Sequence, residues 1–282
     1  MKLYFMLARR RPDVPSQLVL EVCEILRQRG VKVACGIAEE TLLRPDRPFP
    51  KVDLYLLKSY TELSLSLAGV LHRQGARLLN PYPGCYAARN KIIASQVLAA
   101  AAIPAPRCWV TSDFTLLGNL LNEAPIIVKP YMGWRGEGVH VVRNQAELAT
   151  LPFPQSPVLV QEYLPGSGED LRLYIAGEEV FAVAKPFSGD SFARPGRPVP
   201  VTTELRRIGL SCGAAFGLGL YGVDLIETES GPKVIDVNYF PGFKGVKGAS
   251  EVVADYVQRC AEGVCDLPGI VVATEASPAR VS

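Results

Sequence analysis

Short apolar segments that alternate with amphipathic helical segments are the feature that most narrows what this chain can fold into. Residues 3–7, 31–36 and 53–58 are typical of buried strands, and residues 16–29 are typical of a helix that ends at Gly30. Strands that are separated by helices favour a small parallel sheet. We therefore expect an α/β N-terminal domain built on such a sheet.

The same pattern continues to a turn that we take as the first domain boundary. A helix is predicted at residues 61–74, a short strand at 78–79, and a turn at 80–84, which holds two prolines and a glycine. The rest of the chain is predicted to form, in order, a helix at 87–102, an extended segment at 107–110, strands at 126–130, 139–142, 158–163, 171–176 and 180–184, a helix at 203–216, strands at 222–227 and 233–238, and a helix at 250–262. The predicted domains are residues 1–84, 85–164 and 165–267, followed by a flexible tail at 268–282.

Composition excludes several classes of function. The 30 basic and 28 acidic residues leave a formal net charge of +2, so bulk charge predicts neither a nucleic-acid partner nor a membrane partner. The first residues place an apolar stretch before basic residues, which inverts the order of a secretory signal, and the stretch is too short to span a membrane. The seven cysteines form no CxxC pair, and only two histidines accompany them, so we expect reduced thiols in the core of a cytoplasmic protein.

A lysine at the end of an apolar strand stands directly before a glycine-rich segment. Lys129 ends the predicted strand at residues 126–130, and residues 133–138 (GWRGEG) lead into the next strand, so the two strands form a hairpin with a glycine-rich tip. Burying a lysine is costly unless it meets an anion, and glycines let backbone N–H groups approach phosphates. The segment is either a phosphate cradle or a hairpin whose glycines only turn the chain.

Acidic and amide side chains mark two neighbouring strands near the C-terminus. Asp224 ends one strand, while Asp236 and Asn238 lie two apart on the next and therefore point to one face. Two carboxylates and an amide, without histidine or thiolate, suit Mg²⁺ that is shared with nucleotide phosphates. The other interpretation is a solvated strand end that leads into a turn before Pro241.

Weaker candidates lie between these two motifs. The segment Gln161, Glu162, Tyr163 and Leu164 follows an apolar strand, and it is either a hinge that contacts adenine and ribose or an ordinary strand exit. Arg172 and Lys185 are candidate anion contacts or surface charges. His140 is expected to be a packed or hydrogen-bonded residue. Trp134 is either a lid or an exposed aromatic residue, and residues 9–11 (RRR) are a solvated loop or a contact to an anionic substrate.

The order of these motifs resembles the ATP-grasp superfamily over roughly residues 3–262, most specifically in the run YGVDLIETESGPKVIDVNYFPGFKGV. The resemblance implies a small Rossmann-like N-terminal domain followed by two α+β ATP-grasp subdomains, with ATP and Mg²⁺ (Mn²⁺ as an alternative) bound between them. It implies metal ligation by Asp224, Asp236 and Asn238, and catalytic roles for Arg172 and Lys185. The implied nucleotide contacts are Lys91, Lys129, Gly136, Gly138, Gln161, Glu162, Tyr163, Leu164 and Glu169.

Two branches of the superfamily compete. The GWRGEGV loop, QEYL and EDLRLYIAG are similar to the ribosomal-protein glutamate ligases (RimK-type), which activate a carboxylate as an acyl phosphate for attack by an amine. The ending DVNYFPGFKGV is similar to the inositol polyphosphate kinases, which would need a basic acceptor pocket. We favour an ADP-forming carboxylate–amine ligase that acts on an amino acid or peptide. The kinase and a binding module without turnover are the alternatives, and pairing of two copies stays open.

Overall fold

The computed structural model describes residues 1–9, 16–133, 136–166, 168–186 and 195–265. Its first sheet holds four parallel strands in the order β2-β1-β3-β4. The elements of this part are β1 (Lys2–Leu7), α1 (Gln17–Gln28), β2 (Lys32–Ile37), β3 (Leu54–Lys58), α2 (Glu62–Arg73) and β4 (Leu78–Leu79). The predicted parallel sheet is confirmed, because each strand returns through a connection that crosses the sheet.

Two consecutive helices follow β4, where we predicted a turn and one helix. They are α3 (Tyr82–Arg89) and α4 (Lys91–Ala100). The predicted turn at residues 80–84 is wrong beyond Pro81, because Pro83 lies in the first turn of α3, where a proline needs no N–H partner. The predicted helix at 87–102 is interrupted at Asn90, whose side chain accepts hydrogen bonds from the backbone N–H groups of Ile92 and Ile93 and so caps α4.

The second sheet carries the predicted hairpin with the glycine-rich tip. It is antiparallel, in the order β5-β8-β6-β7, and residues such as Leu117 and Val160 fill its own small core. Its elements are β5 (Cys108–Thr111), α5 (Gly118–Glu123), β6 (Ile126–Pro130), β7 (His140–Val142), α6 (Gln145–Ala149) and β8 (Val158–Glu162). The two helices, α5 and α6, are short and were not predicted, since each spans fewer than two turns and carries little periodic signal.

The third sheet is antiparallel, in the order β11-β10-β9-β12-β13. Its elements are β9 (Glu169–Ala176), β10 (Glu179–Pro186), β11 (Arg197–Val199), α7 (Thr203–Phe216), β12 (Leu220–Thr228), β13 (Gly231–Tyr239) and α8 (Ala249–Glu262). The side chains of β9 alternate between two cores. Leu173 and Ile175 pack with α2, α3, α4 and α7, whereas Tyr174 and Ala176 pack with α1, α8 and the first sheet.

The first and third sheets are therefore joined by shared cores. Helix α3, which contains the predicted boundary at residue 84, and helix α4, which follows it, pack in the core that connects these two sheets. The domain boundaries themselves stay a prediction. All seven cysteines are free thiols, as expected; four are buried, but Cys35 is exposed.

The side chain of Asn80 links the end of the first sheet to the third sheet, because it forms hydrogen bonds with backbone groups there. Its fully buried side chain donates a hydrogen bond to the carbonyl of Leu220 at 2.7 Å and accepts bonds from the N–H groups of Gly219 and Leu220 at 2.9 Å each.

We expect Asn80→Ala to lower the free energy of unfolding by about 3 kcal/mol, because buried backbone groups lose their partners. Urea unfolding measures this loss. Asn119→Ala, an exposed change on α5, should shift stability by no more than about 0.5 kcal/mol, and equal midpoints for the two variants would refute the role of Asn80.

Candidate active site

Three strands of the third sheet bring the predicted metal ligands together. Arg172 on β9 lies opposite Asp224 on β12, and Asp224 lies opposite Asp236 on β13. Directly opposed residues of an antiparallel sheet point to the same face, and Asn238 shares the face of Asp236 because side chains alternate along a strand. The four side chains therefore meet on one face, although they come from three separate strands.

Hydrogen bonds join these side chains into one network. Both carboxylate oxygens of Asp224 accept from Arg172, through Nε and Nη2. Asn238 Nδ2 donates to Asp224 Oδ2 at 3.2 Å and to Asp236 Oδ2 at 3.3 Å. A forked guanidinium–carboxylate contact fixes the geometry of both partners, so this network is preorganised.

Lys91, on helix α4, contacts the same hydrogen-bond network through Asp236. Its Nζ contacts Asp236 Oδ1 at 2.8 Å, and its backbone N–H donates to the carbonyl of Tyr131 at 2.8 Å. Both contacts follow from its place at the first position of α4, directly after the capping residue Asn90. Lys91 thereby connects the third sheet to the segment that leads into the glycine-rich loop.

Lys129 lies on β6 and contacts Gln161 of the neighbouring strand β8. The distance from Lys129 Nζ to Gln161 Oε1 is 2.7 Å, and Gln161 is buried. Burial and the nearby charge of Lys91 lower the pKa of Lys129 to about 8. An anion bound next to Lys129 would stabilise its ammonium form and raise its pKa back towards the ordinary value.

Charges around the network shift further groups. Burial raises the pKa of the Asp236 carboxyl, but Lys91, Lys129 and Arg172 outweigh burial and bring that pKa below its ordinary value. Burial lowers the pKa of the Arg172 guanidinium, but Asp224 more than compensates and raises it above its ordinary value. Burial and the charge of Arg172 lower the pKa of Lys185 to about 8. At neutral pH the Asp236 carboxyl is therefore ionised beside several cations.

The two lysines with a pKa of about 8 predict how nucleotide affinity depends on pH. Below pH 8 the amines of Lys129 and Lys185 are protonated in the free protein, and above pH 8 they lose that charge. Because a bound phosphate favours the ammonium form, the Kd for a Mg-bound nonhydrolysable ATP analogue should rise above pH 8, by at most about tenfold per pH unit for each lysine that contacts it. Titration calorimetry across this range measures the rise.

A matched substitution isolates the contribution of Lys129. Arginine stays charged throughout this range, so Lys129→Arg should flatten the profile. Lys32→Arg, an exposed change on β2, should leave the profile as in the wild type. An unchanged profile in Lys129→Arg would mean that another group, such as Lys185, controls the pH dependence.

The predicted hinge follows β8. Glu162 Oε1 accepts from the backbone N–H of Arg107 at 3.0 Å, and its Oε2 accepts from the Arg107 side chain at 2.8 Å. Burial raises the pKa of Glu162, but Arg107 and Lys233 bring it below its ordinary value. Tyr163 is exposed and Leu164 is half-buried. The sequence analysis placed residue 107 in an extended segment but did not single it out as a contact to Glu162. A basic residue directly before a strand is only a weak signal for such a contact.

The remaining predicted contacts lie on β9 and in the glycine-rich loop. Glu169 bonds to the exposed Arg197 at 3.1 Å. Gly136 and Gly138 have φ values of +75° and +70°, which favour glycine, and a Cβ at Gly138 would lie 2.8 Å from Pro130. Arg89, which the sequence analysis also missed, donates to the carbonyl of Gly133. The loop thus needs glycine for its own backbone, and Arg89 fixes its first residue.

Three minor predictions have different outcomes. His140 is exposed, so its prediction as a packed residue is wrong; β7 is an edge strand, which leaves one side open to solvent. Arg9 is exposed and bonds to Glu40 at 2.8 Å, while the other two arginines of that run lie outside the described residues. Trp134 also lies outside them.

The side chains on this face fit Mg²⁺. Asp224, Asp236 and Asn238 supply two carboxylates and one amide, and Mg²⁺ in nucleotide sites takes one or two carboxylates together with phosphate oxygens and water. Among the described residues no group of three or more histidine, cysteine or acidic side chains could hold a metal. No helix within the described ranges is long and apolar enough to cross a membrane.

Comparison with known proteins gives the family. The RimK-like ATP-grasp domain matches residues 88–257, which is more than half of the chain. The chain belongs to the RimK-like ATP-grasp family. This span runs from the end of α3 to α8 and contains all of the predicted metal, nucleotide and catalytic residues. The predictions of an ATP-grasp fold and of an ATP-dependent ligase are thus confirmed.

Relatives and solved structures agree with this family. A probable alpha-L-glutamate ligase of Legionella pneumophila (strain Corby) is 27% identical over 244 residues, which cover 78% of this chain and 81% of the relative. A RimK domain ATP-grasp protein from Sphaerobacter thermophilus has a TM-score of 0.76 at 20% identity and covers 92% of this chain and 100% of its own. The ATP-grasp ligase PsnB, solved with a minimal precursor, Mg and ADP, has a TM-score of 0.65 at 18% identity and covers 92% and 96%.

Proposed function

We propose that this RimK-like ATP-grasp protein is an ADP-forming carboxylate–amine ligase that activates a carboxylate as an acyl phosphate and joins it to an amine. The observation that carries the proposal is the network on the face of the third sheet. Lys91 pairs with Asp236 at 2.8 Å, while Arg172 forks onto Asp224 beside Asn238. Cations for phosphate and oxygen ligands for a metal thus meet at one place, as phosphoryl transfer requires.

Nucleotide binding is assigned to residues of α4, β6, β8 and β9, of the segment after β8 and of the glycine-rich loop. Lys91 and Lys129 would hold the α- and β-phosphates, and the loop with Gly136 and Gly138 would cover them. Gln161 would position Lys129 and not contact the nucleotide itself, because its side-chain oxygen already accepts a hydrogen bond from Lys129 Nζ. The segment from Glu162 to Leu164 would contact adenine, and Glu169 completes the proposed nucleotide set.

Metal binding and acyl transfer are assigned to the third sheet. Asp224, Asp236 and Asn238 would hold Mg²⁺, which when bound neutralises charge on the transferred phosphate. Arg172 would orient the acyl phosphate, since a guanidinium matches two oxygens at once. Lys185 is buried near Arg172, and its pKa is lowered. An anion bound next to Lys185 would stabilise its ammonium form.

The substrates are proposed from chemistry and from the relatives. Several relatives carry the name alpha-L-glutamate ligase, so we propose that L-glutamate is one of the two substrates and that an amino acid or peptide is the other. The reaction would take place in the cytoplasm, where ATP and free amino acids are available.

Hydroxylamine tests the acyl phosphate directly. The full chain is incubated with Mg-ATP, hydroxylamine and pools of carboxylic acids that contain L-glutamate and short peptides; a parallel reaction contains inositol phosphates. We expect release of ADP with hydroxamate in the first reaction, because hydroxylamine traps acyl phosphates. Release of ADP with inositol phosphates alone would replace the ligase with a kinase. ADP release in neither reaction would refute both activities for these substrates.

A further inference from the structure

Two cysteines bring their sulfur atoms together at the edge of the first sheet. Cys23 lies on helix α1 and Cys35 lies on strand β2, and their Sγ atoms are 4.0 Å apart. Strand β2 is an edge strand of the sheet, and Cys35 is exposed, whereas Cys23 is buried in the core that also holds Leu26 and Tyr174. The pair therefore combines a thiol that solvent reaches with a thiol that the core shields.

The local fold explains why these two thiols meet. Helix α1 buries a stripe of apolar side chains that includes Val22, Cys23 and Leu26. On β2, Cys35 comes two residues after Val33, so both side chains point to the same face of the sheet. Val33 packs against the core that contains Cys23. Cys35 therefore faces α1, and the packing of this helix on the sheet sets the distance between the sulfurs.

This distance suits a bond that can form and break. A disulfide needs sulfurs about 2.0 Å apart, so the two sulfurs would have to approach by about 2 Å. Rotation about a Cα–Cβ bond moves a sulfur by a comparable distance, and the exposed side chain of Cys35 has room for it. In proteins that work in a reducing compartment, disulfides are usually transient and belong to catalytic or redox-sensing sites.

The two thiols differ in acidity. A hydrogen bond with the Cys23 thiol lowers the pKa of Cys35 to about 7, and the charge of Arg27 acts in the same direction, against the effect of burial. The hydrogen bond with Cys35 and burial raise the pKa of Cys23. Near neutral pH, Cys35 thus carries the thiolate, which is the nucleophilic form, while Cys23 keeps its proton.

We propose that Cys23 and Cys35 form a reversible redox site, at which a hydroperoxide oxidises Cys35 and Cys23 converts the product into a disulfide. The Cys35 thiolate attacks a peroxide oxygen; an S–O bond forms, the O–O bond breaks, the sulfur gives up two electrons, and the leaving oxygen takes a proton. The Cys23 sulfur then attacks the sulfenic acid. The S–S bond forms, the S–O bond breaks, and the hydroxyl leaves with the Cys23 proton as water. This proposal does not depend on the ligase function.

A second close pair of thiols offers a comparison. The Sγ atoms of Cys260 and Cys265 are 2.7 Å apart, at the end of α8. Cys260 is buried, Cys265 is half-buried, and burial raises the pKa of Cys260 to about 12. A buried, protonated thiol reacts slowly with a peroxide. We therefore expect the peroxide to react first at Cys35, although the sulfurs of the other pair are closer.

Peptide mapping after peroxide treatment tests the proposal. The full chain is reduced with dithiothreitol, freed of it, treated at neutral pH with a small molar excess of hydrogen peroxide, blocked with N-ethylmaleimide and digested with trypsin. Cleavage after Arg27, Arg29 and Lys32 separates Cys23 from Cys35, so only a disulfide can join the two peptides. We expect the joined peptides in the mass spectrum, and we expect dithiothreitol to separate them.

Variants assign the role of each thiol. Cys35→Ser, an exposed change, should give no joined peptides. Cys23→Ala removes the second thiol, so peroxide should carry Cys35 on to the sulfinic acid, which adds about 32 Da to its peptide. Cys265→Ser removes the other close pair and is the matched control, in which the joined peptides should form as in the wild type.

Three results would overturn the proposal. The first is that Cys23 and Cys35 both stay reduced in the treated wild type. The second is a disulfide between Cys260 and Cys265 alone, which is recognisable because trypsin does not cleave between these residues. The third is sulfinic acid at Cys35 in the wild type without joined peptides. If Cys23→Ala does not fold, the wild type and Cys35→Ser still decide.

Discussion

Asp236→Asn is expected to lower kcat/KM for Mg-ATP at least about 100-fold, while the protein still folds. The substitution keeps the shape of the side chain but removes the negative charge that faces Lys91 at 2.8 Å. It also removes one of the two carboxylates proposed to hold Mg²⁺. Steady-state ADP release at several Mg²⁺ concentrations measures the effect, and higher Mg²⁺ should restore part of the lost activity if Asp236 is a metal ligand.

A matched control separates this effect from a general change of charge. Asp255→Asn removes an exposed carboxylate on α8, which pairs with Arg29 at 2.6 Å, and should leave turnover as in the wild type. Circular dichroism and urea unfolding establish that both variants are folded. Wild-type turnover in Asp236→Asn would show that Asp236 neither binds the metal nor positions Lys91, and the proposed metal site would have to be abandoned.

Arg172→Lys is expected to lower the rate of hydroxamate formation by about 10²- to 10³-fold, the scale on which enzymes lose activity when one donor to a developing anion is removed. Lysine keeps the positive charge but cannot fork onto both oxygens of Asp224 or of an acyl phosphate. We choose lysine because removing one partner of a buried ion pair altogether typically costs about 3–5 kcal/mol of stability. Single-turnover hydroxamate formation is the measurement.

Binding of the nucleotide should respond differently from acyl transfer in this variant. Arg172 is assigned to the acyl phosphate, so the Kd of the ATP analogue should change much less than the rate of hydroxamate formation. Arg143→Lys, an exposed substitution at a residue 3.6 Å from Glu147, is the control for the loss of a guanidinium. If Arg172→Lys weakened nucleotide binding as strongly as it slowed hydroxamate formation, Arg172 would belong to the nucleotide site.

The sequence by itself determined the order and type of most elements. The strand at Ile126–Pro130 and the helix at Thr203–Phe216 have the predicted bounds, because their apolar periodicity is a local property of the chain. It also placed Asp236 and Asn238 on one face, since side chains two apart on a strand point the same way, whereas the pairing of β12 with β13 brings Asp224 opposite Asp236. The interruption at Asn90 escaped prediction because an alanine-rich run on both sides favours one continuous helix.

Only the tertiary structure decided which charged groups meet. Lys91 and Asp236 lie 145 residues apart in the chain, and Arg172 and Asp224 lie 52 apart. Residues so far apart come into contact through strand pairing and through packing of α4 against the third sheet, which no local pattern encodes. The same reason explains why Arg89 and Arg107 were missed. Their functions depend on partners, Gly133 and Glu162, that come close only when the sheets and helices pack.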